Sequence, residues 1–170
     1  AENGADLTVV CADLSRLPDD VRQMQVDHVI ANPPYFRPGA HSGARDAGRR
    51  LALGGATPLA DWVDAGARRL RAKGFLHLIC RADRLPELLS ACSGRLGSLE
   101  VLPLAARTGR APALAIMRAR KGGRAAFRLH APVVLHEGSG HRRDGDSYTP
   151  ALQAVLRSGE ALTWPDTPAA

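Results

Sequence analysis

Aromatic residues make up only 4% of the 170 residues, and cysteine is scarcer still, with three. Cys11, Cys80 and Cys92 show no paired spacing, which excludes a disulfide framework and a cysteine-based metal site. Cys11 and Cys80 sit in apolar runs, so they are expected as small buried hydrophobes in a reducing compartment. The six histidines form no metal-ligand pattern; His136 and His141 share a loop region without a second motif beside them, and no metal is expected. No apolar run is long enough to span a membrane, and no signal-peptide pattern occurs, so the expected location is the cytoplasm without membrane attachment. No internal repeat is found.

What the chain does have is basic charge and enough length for one domain with a real core. The formal net charge is +6, which favours a polyanionic partner. The cations are spread out: Arg45, Arg49 and Arg50; Arg68, Arg69 and Arg71; Arg118, Arg120, Lys121 and Arg124; Arg142 and Arg143. For any one cluster, a solvated surface is the simpler explanation.

The most informative stretch is Val26-Asp27-His28-Val29-Ile30-Ala31-Asn32-Pro33-Pro34-Tyr35-Phe36. Val29 to Ala31 reads as a buried strand, halted by a polar side chain, two prolines that cannot continue a ladder, and two aromatics. A strand that delivers such residues to its carboxyl end builds a site, because open α/β sheets bind ligands along that edge. The chemistry fits methylation of an amine. An exocyclic amine of a nucleobase is a poor nucleophile, its lone pair being delocalised into the ring. Two acceptors around the amine hydrogens, the Asn32 side-chain oxygen and the Pro33 carbonyl, would turn that lone pair toward an electrophilic methyl group. Pro33 and Pro34 fix φ, so the carbonyl direction is preset. Tyr35 offers a face on which a flipped-out base can stack. The plainer alternative is a strand followed by an ordinary Pro-Pro turn.

Asp27 to Phe36 resembles motif IV of the S-adenosylmethionine-dependent amino-group methyltransferases. Asn32-Pro33-Pro34-Tyr35-Phe36, a basic Gly-containing loop and a later Tyr148-Thr149 pair resemble most closely the bacterial adenine-N6 methyltransferases that act on a valine tRNA. The resemblance runs from about Asn3 to Leu162. It implies a Rossmann-like class I methyltransferase sheet, α/β in class, with an antiparallel hairpin near the C-terminus. It implies S-adenosylmethionine as cofactor and RNA, tRNA foremost, as partner. Asn32, Pro33, Pro34 and Tyr35 take the catalytic positions, and Asp13, Leu14 and Asn32 the cofactor positions. Phe36 shapes the pocket, and with Arg37, Arg45, Arg49 and Arg50 it forms the expected nucleic-acid contacts. Release-factor glutamine methyltransferases share Asn-Pro-Pro-Tyr and some guanine-N2 enzymes carry a close variant, so glutamine-amide and guanine-N2 methylation stand beside adenine N6. A basic α/β domain that binds RNA or protein without catalysis is the non-enzymatic alternative.

Taken in order, Leu7 to Cys11 is expected as a short buried strand with Ala12-Asp13-Leu14 at its end. Asp13 either accepts a hydrogen bond from the cofactor adenine or caps the turn before Ser15. Leu17 to Gln25 is a connection with a helical turn after Pro18, and Val26 to Ala31 a strand. Arg37 to Gly55, with five glycines, is a long loop suited to a phosphate backbone. A helix follows, capped by Thr57, with Pro58 at its first position and Gly74 as its end; Leu59, Val63, Gly66, Leu70 and Trp62 line its inner face. Phe75 to Cys80 is a strand covered on both faces. Asp83 to Ser93 is a helix with Leu85, Leu88 and Leu89 inward and Gly94 as its stop. Strands at Leu99 to Ala105 and Ala113 to Ala119 flank Arg107-Thr108-Gly109-Arg110. Phe127 to His130 and Val133 to His136 form a short hairpin, and Tyr148-Thr149-Pro150 leads into a helix over Ala151 to Arg157.

A Gly-rich cofactor turn after a first strand and an acidic residue ending a second are both missing before Asp13. Residues 1–164 are therefore expected to be the C-terminal part of a single methyltransferase domain lacking its first two strands, with residues 165–170 a disordered tail. In such a fragment the strand over Leu7 to Cys11 loses its neighbours and the edge of the Val26 strand is open. The expected results are self-association across that edge or a poorly ordered Leu7 strand, together with little cofactor affinity and no turnover for the isolated chain.

Overall fold

The computed structural model describes residues 6–34, 57–138 and 147–164. The strands are β1 (Val26–Ala31), β2 (Leu70–Arg81), β3 (Leu96–Ala105), β4 (Leu114–Lys121), β5 (Arg128–Leu129) and β6 (Val133–Val134). The helices are α1 (Asp19–Gln23), α2 (Leu59–Arg69), α3 (Leu85–Cys92) and α4 (Pro150–Ser158), with single 3-10 turns at Leu14–Arg16 and Ala82–Arg84. The sheet order is β1-β2-β4-β3-β5, and β6 also pairs with β3. β1 and β2 are parallel, while β4 lies antiparallel between β2 and β3. This parallel pair with an inserted reversed strand is the sheet the resemblance implies.

Alternation along β2 and β4 creates the core. Leu76, Leu78 and Cys80 of β2 and Ala115, Met117 and Ala119 of β4 are buried and share one cluster with Leu59, Val63 and Ala67 of α2 and Leu88, Ala91 and Cys92 of α3. Fully burying a Leu or Val side chain contributes about 1.5–3 kcal/mol, so the two helices are held mainly by these apolar faces. Trp62 packs against the same cluster, as expected of a core residue. The opposite sheet face carries Phe75, His77 and Ile79 half-buried, so β2 is fully covered on one face only. That corrects the expectation of a strand covered on both.

Several boundaries differ from expectation for physical reasons. Leu7 to Cys11 forms no strand: Leu7, Val9 and Val10 are exposed, Val9 by 89%, and Cys11 is exposed too. An apolar run becomes a strand only where another strand accepts its hydrogen bonds, and among the described residues the outer edge of β1 has no neighbour. Ile30 on that edge strand is 84% exposed, so β1 is less buried than its apolar run suggests. Helix α2 stops at Arg69, before Gly74, and Pro58 is its N-cap with no side-chain cap bond. Gly74 instead lies within β2, where a Cβ would come 2.8 Å from the Asp27 carbonyl. It permits close approach to β1 at a register shift, and the preceding Lys73 takes a φ of 69°. The pieces expected as a hairpin, β5 and β6, each pair in parallel with β3 and not with one another. The helical turn after Pro18, β1, α3, the β3–β4 pair and α4 fall where expected. Residues 165–170 lie outside the described residues.

Candidate active site

The carboxyl ends of β1, β2 and β3 share one edge of the sheet with the amino end of β4. β1 is held in register by Val29 opposite Leu76 and Ala31 opposite Leu78. Its ladder ends there because neither Pro33 nor Pro34 has an N–H to donate. Ala31 and Pro33 are buried and Asn32 between them is exposed, so the buried neighbours anchor the turn while the amide side chain faces outward.

Asn32 lines an apolar groove of about 410 Å3 with His28, Ile30, His77, Ile79, Ile116, Leu162 and Trp164. In that groove the His28 and His77 rings meet Nδ1 to Nε2 at 3.2 Å. Burial lowers the His77 pKa from its ordinary value, and His28 and Arg118 push it the same way. Behind Trp164, Arg118 lies 4.4 Å from the indole centroid and pairs with Glu100 at 2.9 Å. His130 Nε2 also meets Glu100, at 2.9 Å.

Asp13 stands elsewhere. It caps the turn Leu14–Arg16, with Oδ1 accepting from the Ser15 N–H at 2.8 Å and from the Ser15 hydroxyl at 2.7 Å. These two bonds hold its pKa below the usual carboxylate value. Asp13 and Leu14 line a second cleft of about 430 Å3 with Arg22, Asp61, Asp64 and Arg68, and Asn32 is not part of its lining. Of the two readings of Asp13, the cap is present in the structure. The described residues do not bring Asp13 and Asn32 into one cavity, because the Leu7 segment has no sheet register to place it. Tyr35, Phe36, Arg37, Arg45, Arg49 and Arg50 lie outside the described residues, as does His141.

Several cations have intrachain work. Arg68 pairs with Asp64 and Arg71 with Asp27, at 2.9 and 3.0 Å. Lys121 Nζ donates to the Ala67 and Leu70 carbonyls, and Arg120 to the Lys73 carbonyl. For these residues the solvated, structural explanation of the basic clusters prevails. Among the described residues, no group of three or more His, Cys, Asp or Glu is placed to hold a metal ion, and no helix is long and apolar enough to cross a membrane.

Two buried arginines at this edge escape sequence reasoning. Arg84 is 6% exposed and donates from Nη1 to the Pro34 carbonyl at 3.3 Å. Its pairing with Glu87 is suggested by the i,i+3 spacing, but nothing in the sequence points fifty residues back to Pro34. Arg107 donates to the Glu137 and Gly138 carbonyls, and Ser147 Oγ meets His136 Nδ1 at 3.3 Å. Tyr148 stacks on His136 with centroids 4.7 Å apart, and Thr149 donates to the Leu135 and Val134 carbonyls. The Tyr-Thr pair thus sews the segment before α4 onto the one after β6.

No protein-family model matches this chain, and no curated protein matches it. Among solved structures it is similar to a predicted O-methyltransferase from Agrobacterium tumefaciens, with 27% identity and a TM-score of 0.60 over 80% of this chain. The match takes in 53% of that protein, so this chain spans about half of its length. The structure of M1.HpyAVI with SAM also matches, with 11% identity and a TM-score of 0.36, covering 59% of this chain and 46% of that one, a likeness too slight to carry an argument. The fold is that of a Rossmann-like methyltransferase.

Proposed function

We propose that this chain carries the amine-accepting part of an S-adenosylmethionine-dependent methyltransferase whose target is an exocyclic amine of a nucleobase, adenine N6 in tRNA foremost. The observation that carries the reading is the Asn32-Pro33-Pro34 turn, leaving β1 at the carboxyl edge of a methyltransferase-like sheet with Asn32 exposed between two buried neighbours. The methyltransferase likeness supports methyl transfer as the reaction class.

The Asn32 side-chain oxygen and the Pro33 carbonyl accept the two amine hydrogens and so orient the nitrogen lone pair. Tyr35 supplies a stacking face, and Phe36 shapes the pocket. The cofactor, when bound, supplies an electrophilic methyl group. The chain offers acceptors suited to the cofactor adenine. Both Ser15 bonds fall on Oδ1 of Asp13, and Asp13 lines a cleft together with Leu14. Since Asp13 and Asn32 line separate clefts, the described residues do not enclose a cofactor by themselves. Arg37, Arg45, Arg49 and Arg50 are the proposed contacts to the RNA backbone, an interaction that weakens as salt rises. The outer edge of β1, which has no neighbour among the described residues, is a proposed surface for self-association.

The test is transfer of labelled methyl groups by the full-length protein to tRNA, to a glutamine-containing protein substrate and to guanine-containing RNA. Label at adenine N6 supports the reading. Label on guanine N2 or a glutamine amide moves the same site to the other substrate, and RNA affinity without transfer to any of the three points to a non-catalytic binding domain.

A further inference from the structure

A three-residue turn aims two acceptors only if both of its ends are held. This inference rests on the reading above, in which Asn32 and Pro33 orient the amine. One end of the turn is secure: Ala31 is buried and in register with Leu78. Proline rings fix φ at Pro33 and Pro34 and restrict the backbone of Asn32 before them, so the soft torsions left in the turn are chiefly its ψ angles, and these decide where the carbonyls point.

The Pro34 carbonyl meets the guanidinium of Arg84, whose Nη1 donates to it at 3.3 Å. The same guanidinium is gripped on its other edge by Glu87, with Nε to Oε2 at 3.1 Å and Nη2 to Oε1 at 2.8 Å. A two-pronged Arg–carboxylate pair fixes the plane of the guanidinium as well as its position. Arg84 is 6% exposed, so the contact with Pro34 is made away from bulk water, where a hydrogen bond from a cation is strong and a lost partner is costly. Arg84 sits at the junction of the Ala82–Arg84 turn and α3, which follows directly on β2. The clamp therefore ties the turn after β1 to the rigid element after its neighbour.

We propose that Arg84, oriented by Glu87, is a positioning residue of the amine site. By holding Pro34 it tethers the far end of the turn, which narrows the torsions open to Asn32 and Pro33 and so the directions available to the Asn32 side chain and the Pro33 carbonyl. It touches neither substrate nor cofactor in this role. A purely structural Arg84, serving only to start α3, would share the burial and the Glu87 pair but would have no effect specific to the chemical step.

The experiment compares Arg84→Ala, Arg84→Lys, Asn32→Ala and the Asn32→Ala/Arg84→Ala double variant in the full-length protein. It uses single-turnover methyl transfer, KM for the methyl donor and melting temperature. We expect Arg84→Ala to lower the transfer rate about 10- to 100-fold, with KM within about threefold, since small misplacements of a reacting group cost on this scale. Arg84→Lys retains a donor for Pro34 and recovers part of the rate. In the Asn32→Ala background the further loss on removing Arg84 shrinks to about threefold or less, because the turn then has little left to aim. An unchanged rate in Arg84→Ala overturns the inference. So does an equal loss in both backgrounds, or a loss that vanishes once the rate is corrected for unfolded protein. Full activity in Asn32→Ala instead overturns the underlying reading of the site, a result distinct from those three.

Discussion

Glu100 joins two strands and a loop through a single carboxylate. It faces Arg118 across the β3–β4 ladder and His130 from the segment after β5. Burial pushes its pKa up, but the hydrogen bonds from His130 and Arg118 outweigh that and hold it below its ordinary value. A carboxylate depressed in the fold contributes stability that is present above its unfolded pKa and lost as pH falls through the folded one. The His77 imidazole, depressed chiefly by burial, adds a second acid-sensitive step. The unfolded chain binds that proton first, so stability is complete above the ordinary histidine value and falls as pH drops below it. Melting temperature should therefore decline in two stages on acidification. His77→Gln should remove the stage nearer neutrality, and Glu100→Gln should flatten the lower one while reducing stability at neutral pH. An unchanged pH profile in both variants would contradict this assignment. Two buried thiols are expected to be unreactive: burial pushes Cys80 and Cys92 up to about 11, so neither should be readily alkylated at neutral pH, whereas exposed Cys11 should be.

Helix α3 and the β3–β4 pair depend on packing that admits little change. Leu88 is fully buried between α3 and the sheet, and Leu88→Ala should cost about 2–5 kcal/mol, read as a lowered denaturation midpoint. Gly97 and Gly123 pass so closely that a Cβ on Gly97 would fall inside the contact distance of the Gly123 carbonyl. Gly97→Ala should therefore destabilise by roughly 1–3 kcal/mol through backbone displacement, despite adding an apolar atom. These elements were legible in the sequence because their apolar spacing and their stops agree: α3 has Leu85, Leu88 and Leu89 followed by Gly94, and β1 ends at the prolines. What was not legible depends on partners distant in sequence. Leu7 to Cys11 has a strand's composition and, among the described residues, no strand to pair with. β5 and β6 are two residues each and exist only through their register with β3. The early end of α2 follows from β2 beginning at Leu70 to meet Val26. In the candidate site, Asn32, Pro33 and Pro34 could be read directly, since the motif is contiguous. Arg84 could not, because its link to Pro34 is created by the parallel pairing of β1 with β2.

For the whole molecule, the sheet order β1-β2-β4-β3 and the match to about half of a larger methyltransferase-like structure set the expectation for binding. Asp13 and Asn32 line separate clefts, so calorimetric titration of these 170 residues with S-adenosylmethionine should show no saturable heat. Stoichiometric binding would mean that the two clefts close into one and that the site is more complete than the described residues indicate. The most direct test of the central claim is transfer of a labelled methyl group to tRNA by the full-length protein, with and without Asn32→Ala, measured beside RNA affinity. The account predicts label at adenine N6 in the unaltered protein. In the variant it predicts loss of transfer by about a hundredfold or more, with RNA affinity kept within a few-fold. Undiminished transfer, or parallel losses of transfer and affinity, would contradict the role assigned to Asn32.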